Sequence, residues 1–156
     1  MTASIHPTAI VSNNATLGED VQVGPYCIVG DDVTLGDGAR LVSHVSIDGR
    51  TAVGARTTIY PFSSIGHPPQ DLKFEGEPST VSIGDDCVLR EYVTINPGTS
   101  GGGMETRVGN NCLLMVGVHI AHDCLVGNHV VMANQASLAG HCVVDDYVRF
   151  GGICGV

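Results

Sequence analysis

Residues 15–38 decide the fold, and in blocks of six they read ATLGED VQVGPY CIVGDD VTLGDG. The third residue of every block is aliphatic, the fourth is glycine, and the first is small or β-branched. A period of six fits neither the 3.6-residue period of an α-helix nor a long amphipathic strand. It is typical of a parallel β-helix, in which each block forms one short side and three blocks close a triangular coil of 18 residues.

The same repeat extends along most of the chain. An apolar residue returns every six positions in three runs, 5–65, 83–95 and 108–156. We expect these repeat residues to fill the interior of the prism, with the small residue four positions later near a corner. All six cysteines occupy that small position: Cys27, Cys87, Cys112, Cys124, Cys142 and Cys154. Because a free cysteine packs as a small hydrophobe, we interpret them as packing residues rather than disulfides or zinc ligands.

The repeat is interrupted twice, at about 67–80 and at about 100–107. Both segments are polar and rich in glycine or proline, which predicts loops that leave the coil. A regular solenoid has no cleft of its own, so projecting loops are natural walls for a site. The run 101–103, three glycines, lacks the strand, helix and lysine of a phosphate-binding loop, and we interpret it as flexible. The sequence therefore predicts one all-β domain over 1–156, a parallel β-helix with two projecting loops.

The charge balance limits the possible partners. Lys and Arg total 7 against 16 for Asp and Glu, a formal net charge of −9. This balance argues against nucleic acid, whose phosphates require a basic face. The sequence has no polybasic segment, no apolar run long enough for a membrane helix and no signal peptide at its start. We expect a cytoplasmic protein with no nucleic-acid partner and no membrane insertion.

A histidine cluster follows the second interruption. Gly140 comes 18 residues after His122, so it should stack on His122 in the next coil, about 4.8 Å away, with His141 beside it. One interpretation is a general base oriented by Asp123, with a backbone N–H near Gly140 for an oxyanion. A second is a zinc site made by His122, His141 and His119, as in hexapeptide-repeat carbonic anhydrases. The third is a set of surface histidines on a solenoid that is not an enzyme.

Several blocks then resemble one known family. They are Gln70-Asp71-Leu72-Lys73, Gly76-Glu77-Pro78, Arg90-Glu91-Tyr92-Val93-Thr94-Ile95, His119-Ile120-Ala121-His122-Asp123-Cys124 and Leu138-Ala139-Gly140-His141. These blocks, the opening residues 5–10 and the positions of both interruptions are similar to those of the UDP-N-acetylglucosamine O-acyltransferases. The resemblance covers the chain from about residue 4 to its end, and it implies that the β-helix is left-handed.

The resemblance implies a reaction and roles for named residues. An (R)-3-hydroxyacyl chain would pass from the thioester of acyl carrier protein to the 3-hydroxyl of UDP-N-acetylglucosamine, the first step of lipid A biosynthesis. The general base would be His122, oriented by Asp123, and the Gly140 N–H would stabilise the oxyanion. Further positions would line the sugar site: Asp71, Lys73, His119 and His141, with Gln70 as an additional candidate.

The resemblance also implies an assembly. The family forms homotrimers with the site in the cleft between neighbouring prisms, and it uses no metal or organic cofactor. Family members continue through further coils and a C-terminal helical domain, which are absent from this sequence and include the region expected to set acyl chain length. A non-catalytic trimeric solenoid, and less so the zinc carbonic anhydrase, therefore remain alternatives. An N-acyl variant that uses a 3-amino acceptor also remains open.

Overall fold

The computed structural model describes residues 2–156, which form 22 short β-strands in three parallel sheets. Each strand inside a sheet pairs with the strands one coil before and one coil after it, so the sheets are the three faces of a triangular prism. The coil is left-handed, and the predicted all-β, left-handed parallel β-helix is confirmed. Within the described residues there is no helix of the length and apolarity needed to cross a membrane.

The strands are distributed over the three faces as follows. Face A contains β1 (Ser4–Ile5), β4 (Gln22–Val23), β7 (Arg40–Leu41), β10 (Thr58–Ile59), β13 (Val88–Leu89), β16 (Leu113–Leu114), β19 (Val131–Met132) and β22 (Arg149–Phe150). Face B contains β2 (Ile10–Val11), β5 (Ile28–Val29), β8 (Ser46–Ile47), β11 (Ser64–Ile65), β14 (Thr94–Ile95), β17 (His119–Ile120) and β20 (Ser137–Leu138). Face C contains β3 (Thr16–Leu17), β6 (Thr34–Leu35), β9 (Arg50–Val53), β12 (Thr80–Ile83), β15 (Glu105–Val108), β18 (Leu125–Val126) and β21 (Val143–Val144).

The core is a single column of repeat residues along the prism axis. Ile59, Leu114 and Ile120 are fully buried, while the strand residue before each of them is partly exposed. The small corner positions close the column, and all six cysteines are free. Four of the cysteines are buried and the two nearest the end, Cys142 and Cys154, are half-buried. The packing interpretation is therefore confirmed for the four buried cysteines.

The two interruptions are insertions between neighbouring coils. Ser64 still pairs with Thr94 across the first of them, and Val88 with Leu113 across the second. The first loop runs over residues 66–79 and the second over 96–104. Both insertions therefore leave the register of the coils before and after them intact.

The second loop ends earlier than the sequence indicated. Residues 105–107 belong to β15, so the expected loop end at about 107 was wrong. The reason is Thr106, which is fully buried and pairs with Val81. Thr106 occupies the small corner position of the next block, where the repeat resumes before the first apolar residue at Val108.

One carboxylate connects the two loops. The Glu77 side chain, from the first loop, accepts a hydrogen bond from the Ser100 N–H of the second loop at 2.8 Å. Its other oxygen accepts one from the Glu75 N–H at 2.9 Å. The backbone donors, Ser100 first, lower the pKa of Glu77 to about 2. The ionised Glu77 therefore holds the middle of the second loop against the first.

The interior column gives a stability prediction. Leu114 is fully buried, whereas Leu72 in the first loop is fully exposed. Leu114→Ala should lower the free energy of unfolding in urea by about 2–5 kcal/mol, because the prism cannot collapse around the cavity. Leu72→Ala, the same change in chemistry, should alter it by less than about 0.5 kcal/mol. Equal effects of the two substitutions would contradict the placement of Leu114 in the interior of the prism.

The loop connection gives a pH prediction. The pKa of Glu77 is lower in the folded state than its ordinary value of 4.5, so its stabilisation is complete above that value and is lost as the pH falls toward about 2. Protection of the Ser100 amide from hydrogen exchange, relative to its intrinsic rate at each pH, should be greater in wild type than in Glu77→Gln at pH 6. The difference should shrink as the pH falls. Glu75→Gln is the control, and an unchanged Ser100 protection in Glu77→Gln at pH 6 would refute the connection.

Candidate active site

Two stacked turns at the edge between faces B and C form the candidate site. The first turn, 121–124, connects β17 to β18, and the second, 139–142, connects β20 to β21. The His141 N–H donates to the His122 carbonyl oxygen at 3.0 Å, which ties the two turns together. Asp123 and His141 have positive φ values of 60° and 67°. The sequence expectation that His122, Gly140 and His141 meet on one edge is confirmed.

A buried carboxylate holds the imidazole of His122. The His122 Nδ1 lies 2.8 Å from Asp123 Oδ2, and the side chains are 18% and 2% exposed. Burial raises the pKa of Asp123, but hydrogen bonds from Thr99 and His122 and the nearby His141 outweigh it, so the pKa is lowered. An ionised Asp123 can only accept, so Nδ1 carries the proton and Nε2 keeps its lone pair.

Gly140 lies directly against this imidazole. A Cβ built on Gly140 would come within 2.5 Å of His122 Cε1 and 2.7 Å of Nε2, so a side chain has no room there. Within residues 2–156 no protein acceptor pairs with the Gly140 N–H. A free backbone donor therefore lies beside the free nitrogen of the imidazole, which is the pairing that a general base and an oxyanion need.

The other two predicted histidines have different surroundings. His119 is on β17 of face B, where its Nδ1 lies 2.7 Å from Thr94 Oγ1, and burial lowers its pKa. His141 is exposed, and its ring meets that of His122 edge-on with centroids 5.0 Å apart. A neutral His119 and an open His141 could both bind hydroxyl or amide groups of a ligand next to the His122–Asp123 pair.

The predicted loop residues lie apart from this cluster. Gln70 and Lys73 are exposed in the first loop, and Asp71 Oδ1 accepts the Lys73 N–H at 3.0 Å. In the described part of the chain none of the three forms a hydrogen bond or an ion pair with His122 or Asp123. Their assignment to the sugar site therefore stays a prediction.

The cluster is also compact enough to hold a metal ion, because His122, Asp123 and His141 offer ligand atoms within 4.8 Å of one another. The three-histidine zinc alternative does not fit, since His119 is outside this group and bonded to Thr94. Both Asp123 oxygens already accept hydrogen bonds, one of them from His122. A metal ion would have to replace that bond, so the arrangement favours proton transfer over metal ligation.

Sequence reasoning missed one residue of the site. Thr99, in the second loop, is 3% exposed. Its N–H and its hydroxyl donate to the two oxygens of Asp123, at 2.9 and 2.6 Å. The 18-residue arithmetic could not find it, because the inserted loop has no register with the coils. The nearby repeat residues therefore carried no signal for Thr99.

Known proteins share the repeat and the fold. The chain matches the family described as bacterial transferase hexapeptide (six repeats) over residues 14–49 and 105–140. An acyl-[acyl-carrier-protein]–UDP-N-acetylglucosamine O-acyltransferase of Thermodesulfovibrio yellowstonii is 51% identical over 143 residues, which are 92% of this chain and 55% of that protein.

Solved structures agree with this match. The crystal structure of a UDP-N-acetylglucosamine acyltransferase superposes with a TM-score of 0.97 at 45% identity, over 97% of this chain and 59% of the other. LpxA from Acinetobacter baumannii gives a TM-score of 0.95 at 44% identity, over 97% and 58% of the two chains. The chain thus spans little more than half the length of these relatives. Within that span, it belongs to the UDP-N-acetylglucosamine O-acyltransferase family.

Proposed function

We propose that this chain carries the catalytic base of an O-acyltransferase whose donor is an acyl carrier protein and whose acceptor is UDP-N-acetylglucosamine. These are the substrates named in the O-acyltransferase of Thermodesulfovibrio yellowstonii. The acyl group is an (R)-3-hydroxyacyl chain, and it is transferred to the 3-hydroxyl of the sugar. The reaction is the first step of lipid A biosynthesis and takes place in the cytoplasm.

One observation carries the proposal: the His122 imidazole is held between a buried carboxylate and a glycine. Asp123 accepts the Nδ1–H at 2.8 Å, which leaves the Nε2 lone pair for a substrate proton. Gly140 packs against Cε1 and the two nitrogens of the ring with no side chain in the way. A base with a fixed tautomer next to a backbone donor is the minimum apparatus for acyl transfer.

The first step uses both groups. Nε2 of His122 removes the proton of the 3-hydroxyl, and the oxygen attacks the thioester carbonyl carbon to form a C–O bond. The carbonyl electron pair moves onto its oxygen, and the Gly140 N–H donates to this oxyanion. Asp123 stabilises the imidazolium that forms, because its charge is close and shielded from water.

The second step returns the enzyme to its initial state. The oxyanion reforms the carbonyl as the C–S bond breaks, and the leaving thiolate takes the proton from Nε2 of His122. The products are the ester and the free thiol of the carrier protein. His122 acts first as a base and then as an acid, so no other proton donor is required.

The sugar site completes the proposal. We place the acceptor between His119 and His141 on one prism and the loop residues Asp71 and Lys73, with Gln70 as a further contact. The exposed position of the loop tip in a single prism favours a site shared with a neighbouring subunit in a homotrimer. In that arrangement the loop of one copy would cover the histidines of the next.

The base is tested by substitution. His122→Ala should lower kcat for formation of the acylated nucleotide sugar by about 10²–10⁴-fold, because a general base contributes on this scale. His129→Ala is the matched control, since His129 is also a histidine in a turn with positive φ, 56°. It should retain turnover. Product is measured by mass spectrometry after incubation with UDP-N-acetylglucosamine and 3-hydroxyacyl carrier proteins of several chain lengths.

The other outcomes of this assay are equally decisive. A His122→Ala protein with a kcat close to that of wild type would contradict the assignment of the base. A wild-type chain that binds both substrates without making product would instead favour the non-catalytic solenoid. Faster acylation of a 3-amino analogue of the nucleotide sugar than of the 3-hydroxy sugar would identify the N-acyl variant.

A further inference from the structure

We propose that the turn formed by residues 99–102 is the positioning element of the catalytic pair, with Thr99 fixing the Asp123 carboxylate and Gly102 closing over it. This inference rests on the proposed function for its kinetic consequences. The turn belongs to the second loop, 96–104, and so lies outside the coils that carry the histidines. It therefore adds a part of the site that the repeat itself does not supply.

Thr99 donates a hydrogen bond to each oxygen of the Asp123 carboxylate. Its N–H donates to Oδ1 at 2.9 Å and its hydroxyl to Oδ2 at 2.6 Å. Oδ2 is also the atom that accepts from His122 Nδ1. One residue thus fixes the plane of the carboxylate by holding both oxygens, and this plane sets the direction of the bond to the imidazole. A surface threonine could not do this reliably, but Thr99 is 3% exposed.

Gly102 closes the other side of the same carboxylate. A Cβ built on Gly102 would lie 2.1 Å from Asp123 Cγ and 2.2 Å from Oδ1, closer than real atoms approach. The backbone of the loop therefore lies directly on the carboxylate. This contact corrects the interpretation of 101–103 as merely a flexible run: glycine is required at 102. At Gly103 the same construction meets nothing within 4 Å.

The turn is itself held in place. The carbonyl oxygen of Thr99 accepts from the Gly102 N–H at 3.1 Å and from the Met104 N–H at 3.3 Å, which closes the loop on itself. Glu77 then binds the Ser100 N–H from the first loop. A positioning role needs this rigidity, because a mobile donor would not fix the direction of a hydrogen bond.

Few other groups could do the same work. Among the described residues, Asp123 has three other polar neighbours. His122 is in its own turn, and His141 of the next coil lies 3.9 Å away. The hydroxyl of Thr106, on β15, accepts the Asp123 N–H at 2.8 Å. His122 and His141 are the titratable groups among them. Neither is held by the loop. Thr99 is the neighbour that donates to both carboxylate oxygens, so its removal should loosen Asp123 and make it a stronger proton acceptor.

Substitution of Thr99 tests the donor. Thr99→Val keeps the shape and removes the hydroxyl, and we expect kcat to fall by about tenfold or more, with KM for both substrates changed less than about threefold. The acidic limb of kcat/KM should move to higher pH, because the less solvated carboxylate holds the protonated imidazole more tightly. Thr99→Ser restores the hydroxyl and should remain within about threefold of wild type.

Thr57→Val is the control for loss of a buried threonine. Thr57 is fully buried, and its hydroxyl donates to the Gly84 carbonyl and accepts from the Cys87 N–H at another edge of the prism. Thr57→Val should lower the free energy of unfolding without shifting the acidic limb of kcat/KM. Equal kinetic losses in Thr57→Val and Thr99→Val would reduce the role of Thr99 to general stability and overturn the proposal.

Substitution of Gly102 tests whether the loop backbone packs directly on the Asp123 carboxylate. Gly102→Ala should lower kcat by about tenfold or more, because either the loop or Asp123 must shift to admit the methyl group. Gly103→Ala, one residue along, should leave kcat unchanged. Urea unfolding of both variants separates loss of the site from loss of the fold. Equal activity of the two glycine variants would overturn the contact at 102.

A readout without turnover separates this inference from the proposed function. The proton between His122 Nδ1 and Asp123 should give a low-field NMR resonance in wild type and Thr99→Ser, identified by its loss in His122→Ala. It should be broadened or lost in Thr99→Val. If wild type makes no product, the proposed function fails while this resonance still decides the role of Thr99. An unchanged resonance in Thr99→Val would overturn the inference.

Discussion

The stacking of one 18-residue coil on the next is the constraint on which the structure depends. Each short strand is too small to be stable alone, so it requires hydrogen bonds to neighbours on both sides and an apolar residue in the interior. That requirement repeats along the chain and fixes which residue lies above which. The register therefore places side chains in the site, as when it sets Gly140 on the ring of His122.

The candidate site depends on the register of the coils and on the second loop, 96–104, which is inserted between them. Stacking brings together His122, Asp123 and Gly140, but a buried carboxylate is costly unless its oxygens are bonded. The coils supply one donor to these oxygens, His122 Nδ1. Thr99, from an inserted loop, supplies the remaining two donors. An interruption in the repeat thus stabilises a charge that the regular part of the fold would not hold.

The sequence predicted those features that the repeat controls. Burial of Leu114 and the meeting of His122 with Gly140 followed from counting, because no residue is inserted between the coils concerned. Counting failed where the chain leaves the coil: the second loop was extended to about 107, and Thr99 was not found. The conformation of a loop depends on contacts with distant residues, such as that between Glu77 and Ser100. In the proposed site, the position of 70–73 against a sugar would depend on a partner subunit and a ligand, so neither the repeat nor a single prism determines it.

The register sets the His122 imidazole against the Gly140 backbone, and a nuclear Overhauser measurement detects that contact. With the histidine ring protons assigned, we expect a strong cross-peak between His122 Hε1 and the Hα protons of Gly140, because the space between Cε1 and the Gly140 backbone is too small for a methyl group. A slip of one residue would bring Ala139 or His141 over the ring instead. A strong cross-peak from His122 Hε1 to the Ala139 methyl group, with none to Gly140, would show that the coils stack in a different register.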